Sequence, residues 1–303
     1  MASEMDSVGH FMQEGYAVLP ELFSRAECAA LISAIDEVVQ TAGAAGRLGD
    51  VADFEPGATG NGRALRRIFN PYQQHQAFRD LAVDSRLLRF VTAIVGDDVG
   101  LQHSKLNLKP PHVGSGVRWH QDLPYFPHTN SDLVAVLVFL DDVSRENGCI
   151  ELLPRCHDRY FDHALPDGGF AGMITEPLPD APDRAPVAIE APAGTVLLLH
   201  PLTPHQSSPN ASDRWRRLLI FEYRAADAFP IFNGAQIADV EACTHHLCGE
   251  KARHARFGGP PPAIYLPNKK ARSLFDLQQD AAMSTPGGGE PAAFPETRYA
   301  RRN

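Results

Sequence analysis

His120 and Asp122 stand two residues apart, directly ahead of a strongly apolar run, in the stretch VRWHQDLPYFPHTNSDLVAVLVFLDD at 117–142. If residues 117–122 form a strand, side-chain alternation places His120, Asp122 and Arg118 on one face. A charged group beside a hydrophobic interior is costly to bury unless it is paired or binds something. The two residues therefore indicate either a hydrogen-bonded His–Asp pair at a strand end or two ligands of a metal ion.

A second stretch, GTVLLLHPLTPHQSSPNASDRWRRLLIFEYR at 194–224, supplies His200 and His205 between an apolar strand and a later strand that begins with basic residues. Two histidines and one carboxylate form the facial triad of non-haem Fe(II) sites, which leaves coordination positions open. An arginine inside the later strand can bind the carboxylate of a ligand through two parallel hydrogen bonds. Together the two stretches favour an iron site over an isolated His–Asp pair.

The elements that must position these residues are mostly strands. Two helices are predicted first, at 24–43, where Ser24 and Glu27 form a capping box, and at 75–96, which ends at Gly96. Strands are predicted afterwards at 99–111, 117–122, 133–143, 149–154, 187–200 and 216–225. Helices followed by many short strands indicate a β-sandwich or barrel with helices packed on one face.

Composition and charge exclude several functional classes. The 303 residues carry a net charge of −9, and the isoelectric point is about 5.8, so neither a phosphate-tracking nucleic-acid surface nor a nucleic-acid partner is expected. No apolar run is long enough to predict a membrane span, and the first residues lack the pattern of a secretory signal. Five cysteines, an odd number in a long chain, favour a reducing, cytoplasmic compartment over a disulfide framework.

The order His120-x-Asp122, then His205, then Arg216 eleven residues later resembles the phytanoyl-CoA dioxygenase-like family. Four blocks resemble family segments: GYAVLPELFSRAECAAL, SKLNLKPP, WHQDLPYFPHTNSDLVAVLVFLDDVSRENGCIELLPRCH and HQSSPNASDRWRR. The resemblance implies a mainly β fold with flanking helices, namely a double-stranded β-helix (a jelly-roll, cupin-like barrel). It also implies a dioxygenase that uses Fe(II), 2-oxoglutarate and O2, releases succinate and CO2, and hydroxylates an aliphatic C–H bond of a small molecule.

The resemblance also implies roles for individual residues. The iron ligands would be His120, Asp122 and His205. The residues for 2-oxoglutarate would be Arg216 on its distal carboxylate, Ser207 as a helper, and Lys105 and Asn107 along the pocket. Substrate would meet Arg118, Tyr125, Phe126 and Phe139. For the three aromatic residues core packing is an equal alternative, and for Arg118 the alternative is exposure at the mouth of the barrel.

Other interpretations remain open for several residues. His200 competes with His205, but only His205 has a serine and an arginine at the family spacing, so His200 is expected to be hydrogen-bonded to backbone. Arg216 could instead be a solvated cation at a strand start. CTHHLC at 243–248 lacks a standard zinc spacing and favours a helix or loop that packs its cysteines. The family often has Gly-Ser-His at 155–157 and His-Gly-Ser at 205–207, so the conformation of both loops is in doubt.

The sequence predicts one catalytic domain at 1–283 and a disordered tail at 284–303, which is rich in Gly and Pro. The segment 163–186 is too long for an ordinary hairpin connection and is predicted to be a lid. Two other functions remain: a cupin-like metal hydrolase or isomerase, which more often uses three histidines, and a non-catalytic 2-oxoglutarate sensor, against which the intact Asp122 argues. Neither the substrate (acyl-CoA, amino acid, compatible solute or natural product) nor the oligomeric state follows from the sequence.

Overall fold

The computed structural model describes residues 4–55, 64–231, 245–265 and 274–284. The helices within these ranges precede the main strands, except for the last one. They are α1 (Glu4–Glu14), α2 (Arg25–Ala44), α3 (Leu48–Val51), α4 (Pro71–Gln74), α5 (Gln76–Ala82), α6 (Ser85–Val95) and α7 (Leu274–Ser284). No helix in the described part of the chain is both long and apolar enough to span a membrane.

The strands form two antiparallel sheets. They are β1 (Tyr16–Leu19), β2 (Ala52–Phe54), β3 (Leu65–Phe69), β4 (Val99–Lys109), β5 (Val117–His120), β6 (Leu133–Phe139), β7 (Ile150–Leu152), β8 (Val187–Ile189), β9 (Val196–Leu199), β10 (His205–Ser207), β11 (Arg216–Ala225) and β12 (His245–Cys248). The larger sheet has the order β1-β9-β6-β11-β4-β3-β2, with β12 beside β4, and the smaller sheet has the order β5-β10-β7-β8.

The larger sheet is the middle of three layers. Its inner face contributes Leu137, Leu199 and Leu218 to a core that also contains Leu152 and Ile189 of the smaller sheet. Its outer face packs against α2, α5 and α6 in a second and larger core. Two facing antiparallel sheets with helices on one side are the jelly-roll arrangement that the sequence predicts, although no described strand closes the two sheets into a barrel.

The predicted helices are present with adjusted bounds. In α2 the capping box forms as expected, since the backbone N–H of Glu27 lies 3.2 Å from Ser24 Oγ and the backbone N–H of Ser24 lies 2.7 Å from Glu27 Oε2. The predicted helix at 75–96 is wrong as one element. It divides into α5 and α6 because Asp84 adopts an extended conformation and caps α6 by accepting a hydrogen bond from the backbone N–H of Arg86.

Several strand predictions need correction as well. The strand predicted at 187–200 divides into β8 and β9, because a turn at 192–194 separates them. The strand predicted at 117–122 ends at His120. The helix or loop predicted for 243–248 is wrong for His245–Cys248, which form β12 beside β4, whereas Cys243 lies outside the described residues. The predicted tail also lies outside them from residue 285 onward.

Gly194 lies in the turn at 192–194 and links β6 to the residues that precede α2. Its N–H donates to the carbonyl of Phe139, and its own carbonyl accepts from the N–H of Phe23 at the entry to α2. Its φ is +88°, and a Cβ atom there would lie 1.8 Å from the carbonyl oxygen of Phe23. Glycine is therefore required by both the conformation and the close approach.

Gly194→Ala should lower the free energy of unfolding by about 2–5 kcal/mol, the sum of left-handed strain and overpacking. Gly46→Ala is the matched control, because Gly46 also has a positive φ of +68° but has open space around its Cβ position. That control should lose only about 1–2 kcal/mol. Urea unfolding of both variants measures the difference, and equal losses would show that the contact with Phe23 does not matter.

Candidate metal centre

His120, Asp122 and His205 come together at one end of the space between the sheets. β5 and β10 are neighbouring antiparallel strands, and His205 is the direct partner of His120 in their register. One ligand atom from each residue lies within 4.8 Å of the others, and all three side chains are buried. Asp122 Oδ2 lies 3.8 Å from His205 Nε2, and Asp122 Oδ1 lies 4.0 Å from His120 Nε2.

Asp122 reaches this cluster through a turn rather than through strand alternation. Its backbone is helical, with φ −74° and ψ −42°, and it begins a 3-10 turn over Leu123–Tyr125. The N–H of Leu123 donates to the carbonyl of Pro201, which joins this turn to the loop that precedes His205. The two side chains meet as predicted. They do so because Asp122 lies in a turn, and not because Asp122 and His120 share one face of a strand.

Both histidines are held in the tautomer that leaves Nε2 for a metal. Nδ1 of His120 lies 2.9 Å from the carbonyl of Arg118, and Nδ1 of His205 lies 3.0 Å from the carbonyl of Thr203. A carbonyl can only accept, so each Nδ1 carries the proton and each Nε2 carries a lone pair directed at the cluster. Burial lowers the pKa of both imidazoles, which favours the neutral form that binds metals.

The carboxylate of the cluster is ionised. Burial alone would raise the pKa of Asp122, but Lys105 and the two histidines outweigh it and hold the pKa below its ordinary value. Two neutral imidazoles and one carboxylate, all buried and directed at one point, fit a divalent first-row metal with open positions, as in a facial triad.

Arg216 is a buried cation whose Nε and Nη1 have no hydrogen-bond partner among the residues that the structure describes. It is 3% exposed. Burial lowers its pKa to about 10, so it is still protonated at neutral pH. Buried guanidinium nitrogens without acceptors are rare and costly, so the arrangement calls for an anion.

The neighbouring Arg217 has the opposite environment. Its Nε and Nη2 donate to the carboxylate of Asp141 at 2.9 and 2.6 Å. Leu218 and Ile220, in phase with Arg216, lie in the core between the sheets. Residues in phase with Arg217 pack against the helices instead. The alternation predicted for β11 is therefore present, with Arg216 inward.

Lys109 is a functional candidate that the sequence predictions missed. It is the direct partner of Arg216 in the register of β11 with β4, and it is 3% exposed. Its Nζ donates to Ser207 Oγ at 2.8 Å and to the carbonyl of Ser207 at 3.2 Å, so Ser207 lies against Lys109. The signal for Lys109 in the sequence was its spacing, since Lys105, Asn107 and Lys109 occupy alternate positions along β4. Arg216 and the Lys109–Ser207 pair therefore lie side by side between the sheets, and their donors suit a carboxylate.

Lys105 stands between the metal cluster and a second missed residue, Glu222. Lys105 Nζ lies 3.6 Å from Asp122 Oδ1 and 3.1 Å from Glu222 Oε1. The second distance is that of an ion pair, so Lys105 offsets part of the cost of burying the Glu222 carboxylate. Burial raises the pKa of Glu222 to about 7. Its even spacing from Arg216 along β11 was the signal for this inward position.

The substrate candidates divide into two groups. The ring of Tyr125 lies 5.9 Å from that of His120, whereas Phe126 is 9% exposed and lies in the larger core, which favours the packing alternative for it. Phe139 is 1% exposed and lies in the core between the sheets, which favours the packing alternative for it. Arg118 contributes two backbone contacts, since its carbonyl orients His120 and its N–H donates to Gln278 Oε1.

His200 lies apart from the cluster and forms a hydrogen bond with the backbone, as the sequence predicts. Its Nδ1 accepts the N–H of Leu202 at 3.1 Å, and its ring lies 4.9 Å from the ring of His157. Burial lowers its pKa to about 3. A histidine that accepts a backbone hydrogen bond in this way has a structural role.

The two departures from the family pattern are accommodated. Arg155 takes a left-handed conformation with φ +56°, where glycine would be relaxed, and its Nε lies 3.4 Å from Glu14 Oε2. Gln206 Nε2 donates to Glu151 Oε2 at 2.8 Å across the β10–β7 pair. Both loops therefore keep a defined conformation with different side chains.

The segment 163–186 and helix α7 meet above Tyr125. The ring of Phe170 lies 4.8 Å from that of Tyr125, and the Tyr125 hydroxyl donates to the carbonyl of Gly172. Gln278 of α7, which is 6% exposed, donates to the same carbonyl at 2.7 Å. The predicted lid thus contacts the site, and its movement stays a prediction.

Comparisons with known proteins agree with this geometry. The family model "Phytanoyl-CoA dioxygenase (PhyH)" matches residues 11–218. A "Probable alpha-ketoglutarate-dependent hypophosphite dioxygenase" of Stutzerimonas stutzeri is 31% identical, covering 77% of this chain and 82% of that protein. An "Ectoine dioxygenase" of Stutzerimonas stutzeri (strain A1501) is 25% identical over 73% of this chain and 76% of its own length.

A solved structure shows the same fold. The crystal structure of EctD from S. alaskensis with 2-oxoglutarate and 5-hydroxyectoine matches with a TM-score of 0.61 and 25% identity. The match covers 75% of this chain and 77% of that one. The family match contains the whole metal cluster and Arg216. The chain belongs to the phytanoyl-CoA dioxygenase (PhyH) family.

Proposed function

We propose that the protein is a non-haem Fe(II)- and 2-oxoglutarate-dependent dioxygenase that hydroxylates an aliphatic C–H bond of a small molecule. One observation carries the proposal: a buried two-histidine, one-carboxylate cluster shares its inter-sheet space with Arg216, a buried cation whose Nε and Nη1 have no partner. The first feature fits Fe(II), and the second fits the distal carboxylate of 2-oxoglutarate. Relatives named as dioxygenases support the same chemistry.

The residues of the chain would divide the work as follows. His120, Asp122 and His205 hold the metal, while Arg216, Lys109 and Ser207 hold the distal carboxylate of the co-substrate. When bound, Fe(II) and 2-oxoglutarate supply the oxidising power for C–H hydroxylation by O2, with succinate and CO2 as co-products. Lys105 Nζ lies 3.6 Å from Asp122 Oδ1 and fixes the orientation of the Asp122 carboxylate.

The surroundings of the cluster would keep the reaction selective. Tyr125 and Phe170 place aromatic surface beside the metal ligands, and Gln278 joins α7 to the segment above them. Excluding water from such a site strengthens its electrostatic interactions and limits side reactions. Residues 1–283 would form the catalytic domain, and a cytoplasmic location stays a prediction from the cysteine count.

The other two functions have less support. A cupin-like hydrolase or isomerase gives no role to Arg216 and Lys109, which are costly to keep buried. A sensor would need the co-substrate site but not a complete metal cluster. Both functions predict an absence of 2-oxoglutarate turnover, so one measurement separates them from the proposal.

Metal-free protein supplied with Fe(II), 2-oxoglutarate and O2 should release succinate slowly even without substrate. Zn(II) occupies similar sites but has no redox chemistry, so the zinc-loaded protein should release at least ten-fold less. Succinate is quantified by chromatography against a reaction without protein. Equal release with zinc would refute the dioxygenase assignment.

His205→Ala should abolish stoichiometric Fe(II) binding, because it removes one of three ligands. His200→Ala is the matched control and should bind iron as the unchanged protein does, with a loss of about 1–3 kcal/mol in stability, since His200 is a buried, hydrogen-bonded side chain. Anaerobic equilibrium dialysis with metal analysis measures iron binding. Loss of binding in the His200 variant alone would exchange the two roles.

Arg216→Ala should weaken 2-oxoglutarate binding roughly ten- to a hundred-fold, the effect of losing a charge-assisted hydrogen bond. Arg217→Ala should leave the affinity within about two-fold, because Arg217 is paired with Asp141 on the other face of β11. Calorimetric titration of 2-oxoglutarate into both iron-loaded, anaerobic variants gives the comparison. A larger loss for Arg217 would mean that the inward face has been misassigned.

A further inference from the structure

Arg67 on β3 faces the same interior space as the metal cluster. It is the direct partner of Asn107 on β4, and Asn107 is the partner of Leu218 on β11. Direct partners in a sheet point to the same face, and Leu218 lies in the core between the two sheets. Arg67 therefore projects inward, and its neighbour Arg66 pairs with Asp53.

Two cations close to Arg67, Arg66 and Lys105, are paired with carboxylates. Arg66 pairs with Asp53 at 2.5 Å, and Lys105 pairs with Glu222 at 3.1 Å. Arg67 is 9% exposed, and its Nε donates to the neutral amide oxygen of Asn107 at 3.0 Å. Among the described residues, no carboxylate lies within ion-pair distance of its guanidinium group. Burial lowers its pKa to about 10, so it remains a cation at neutral pH.

The guanidinium of Arg67 lies at the side of the chamber that Tyr125 borders. Asp53, Tyr125 and Asp122 are close enough to interact with it electrostatically, although Asp53 is already paired with Arg66. Its Cζ atom lies 5.6 Å from the ring of Phe275 in α7. The cation therefore stands between the metal cluster and the aromatic wall, which is where a substrate would approach.

The site for 2-oxoglutarate lies elsewhere. Arg216 is on β11 and Arg67 is on β3, and these strands lie on opposite sides of β4. With neighbouring strands about 4.8 Å apart, the two backbones are roughly 10 Å apart. Arg216, with Lys109 and Ser207 beside it, already supplies donors for the distal carboxylate of the co-substrate. An anionic group that enters the chamber would be the first charge within ion-pair distance of Arg67 among the described residues.

We infer that the substrate is a small molecule with an anionic group, a carboxylate or phosphonate, which binds Arg67 and so holds the reacting C–H bond beside the metal. This inference rests on the proposed function. It excludes neutral substrates and makes Arg67 a residue that determines specificity. The guanidinium group suits both anions, because its planar fork matches two oxygens at once.

The test compares matched anionic and neutral probes on protein loaded with Fe(II) and 2-oxoglutarate under anaerobic conditions. The pairs are propanoate with propanamide, and methylphosphonate with its dimethyl ester, and binding is measured by calorimetry. The unchanged protein should bind at least one anion ten-fold or more tightly than its neutral counterpart. Arg67→Met should weaken that binding roughly ten- to a hundred-fold, and Arg67→Lys should restore part of it.

Arg217→Met is the matched control, since it removes an arginine of the same sheet whose side chain lies on the opposite face and is paired with Asp141. It should keep anion binding within about two-fold of the unchanged protein, because its guanidinium group does not face the chamber. The affinity for 2-oxoglutarate should stay unchanged in all of the variants. Thermal unfolding confirms that each one is folded.

Three outcomes overturn the inference. Either the unchanged protein shows no preference for anions, or Arg67→Met binds them as tightly as before. If Arg67→Met weakens the binding of 2-oxoglutarate as much as the binding of the anionic probe, the inference is also overturned, because Arg67 would then bind the co-substrate. Failure of the proposed function looks different: the unchanged protein would bind no 2-oxoglutarate and release no succinate.

Discussion

The pairing of β5 with β10 is the constraint on which the whole site depends. Only this register sets His120 opposite His205, and a shift by one residue would turn one of the imidazoles to the outer face. Both strands are very short, so the register must be held by other contacts. Gln206 does part of this by binding Glu151 on β7, and Thr203 does part by donating to the carbonyl of Gly15. His205 is thus positioned by the polar residues on either side of it in the chain.

The interior of this jelly roll carries more positive charge than an apolar core tolerates. Arg67, Lys109 and Arg216 are all buried, and none has a carboxylate partner among the described residues. Each unpaired charge reduces the stability of the protein without ligands. Anions that bind there restore the balance, so ligand affinity and folding stability draw on the same interactions. The helices against the outer sheet face supply the apolar burial that offsets this loss.

Much of this arrangement could be predicted from sequence where simple periodicity applied. Alternation along β11 correctly placed Arg216 inward and Arg217 outward, and spacing separated His205 from His200. The same alternation would have identified Glu222 and Lys109, but neither residue had a motif to draw attention to it. Asp122 reached the cluster through a 3-10 turn, which no periodic pattern describes. Helix α7 was missed because its contacts, through Gln278, are with residues more than a hundred positions earlier.

The position of α7 in the chain has a consequence for how such enzymes diverge. The family match ends at residue 218, whereas Gln278 and Phe275 lie well beyond it and still reach the chamber wall. The metal ligands and the part of the wall next to the substrate are therefore encoded in separate segments of the chain. A recombination event or a drift in the C-terminal segment alone can remodel substrate selection while the oxidising centre is inherited intact. In this architecture the segment that carries α7 can change without changing the residues of the metal cluster.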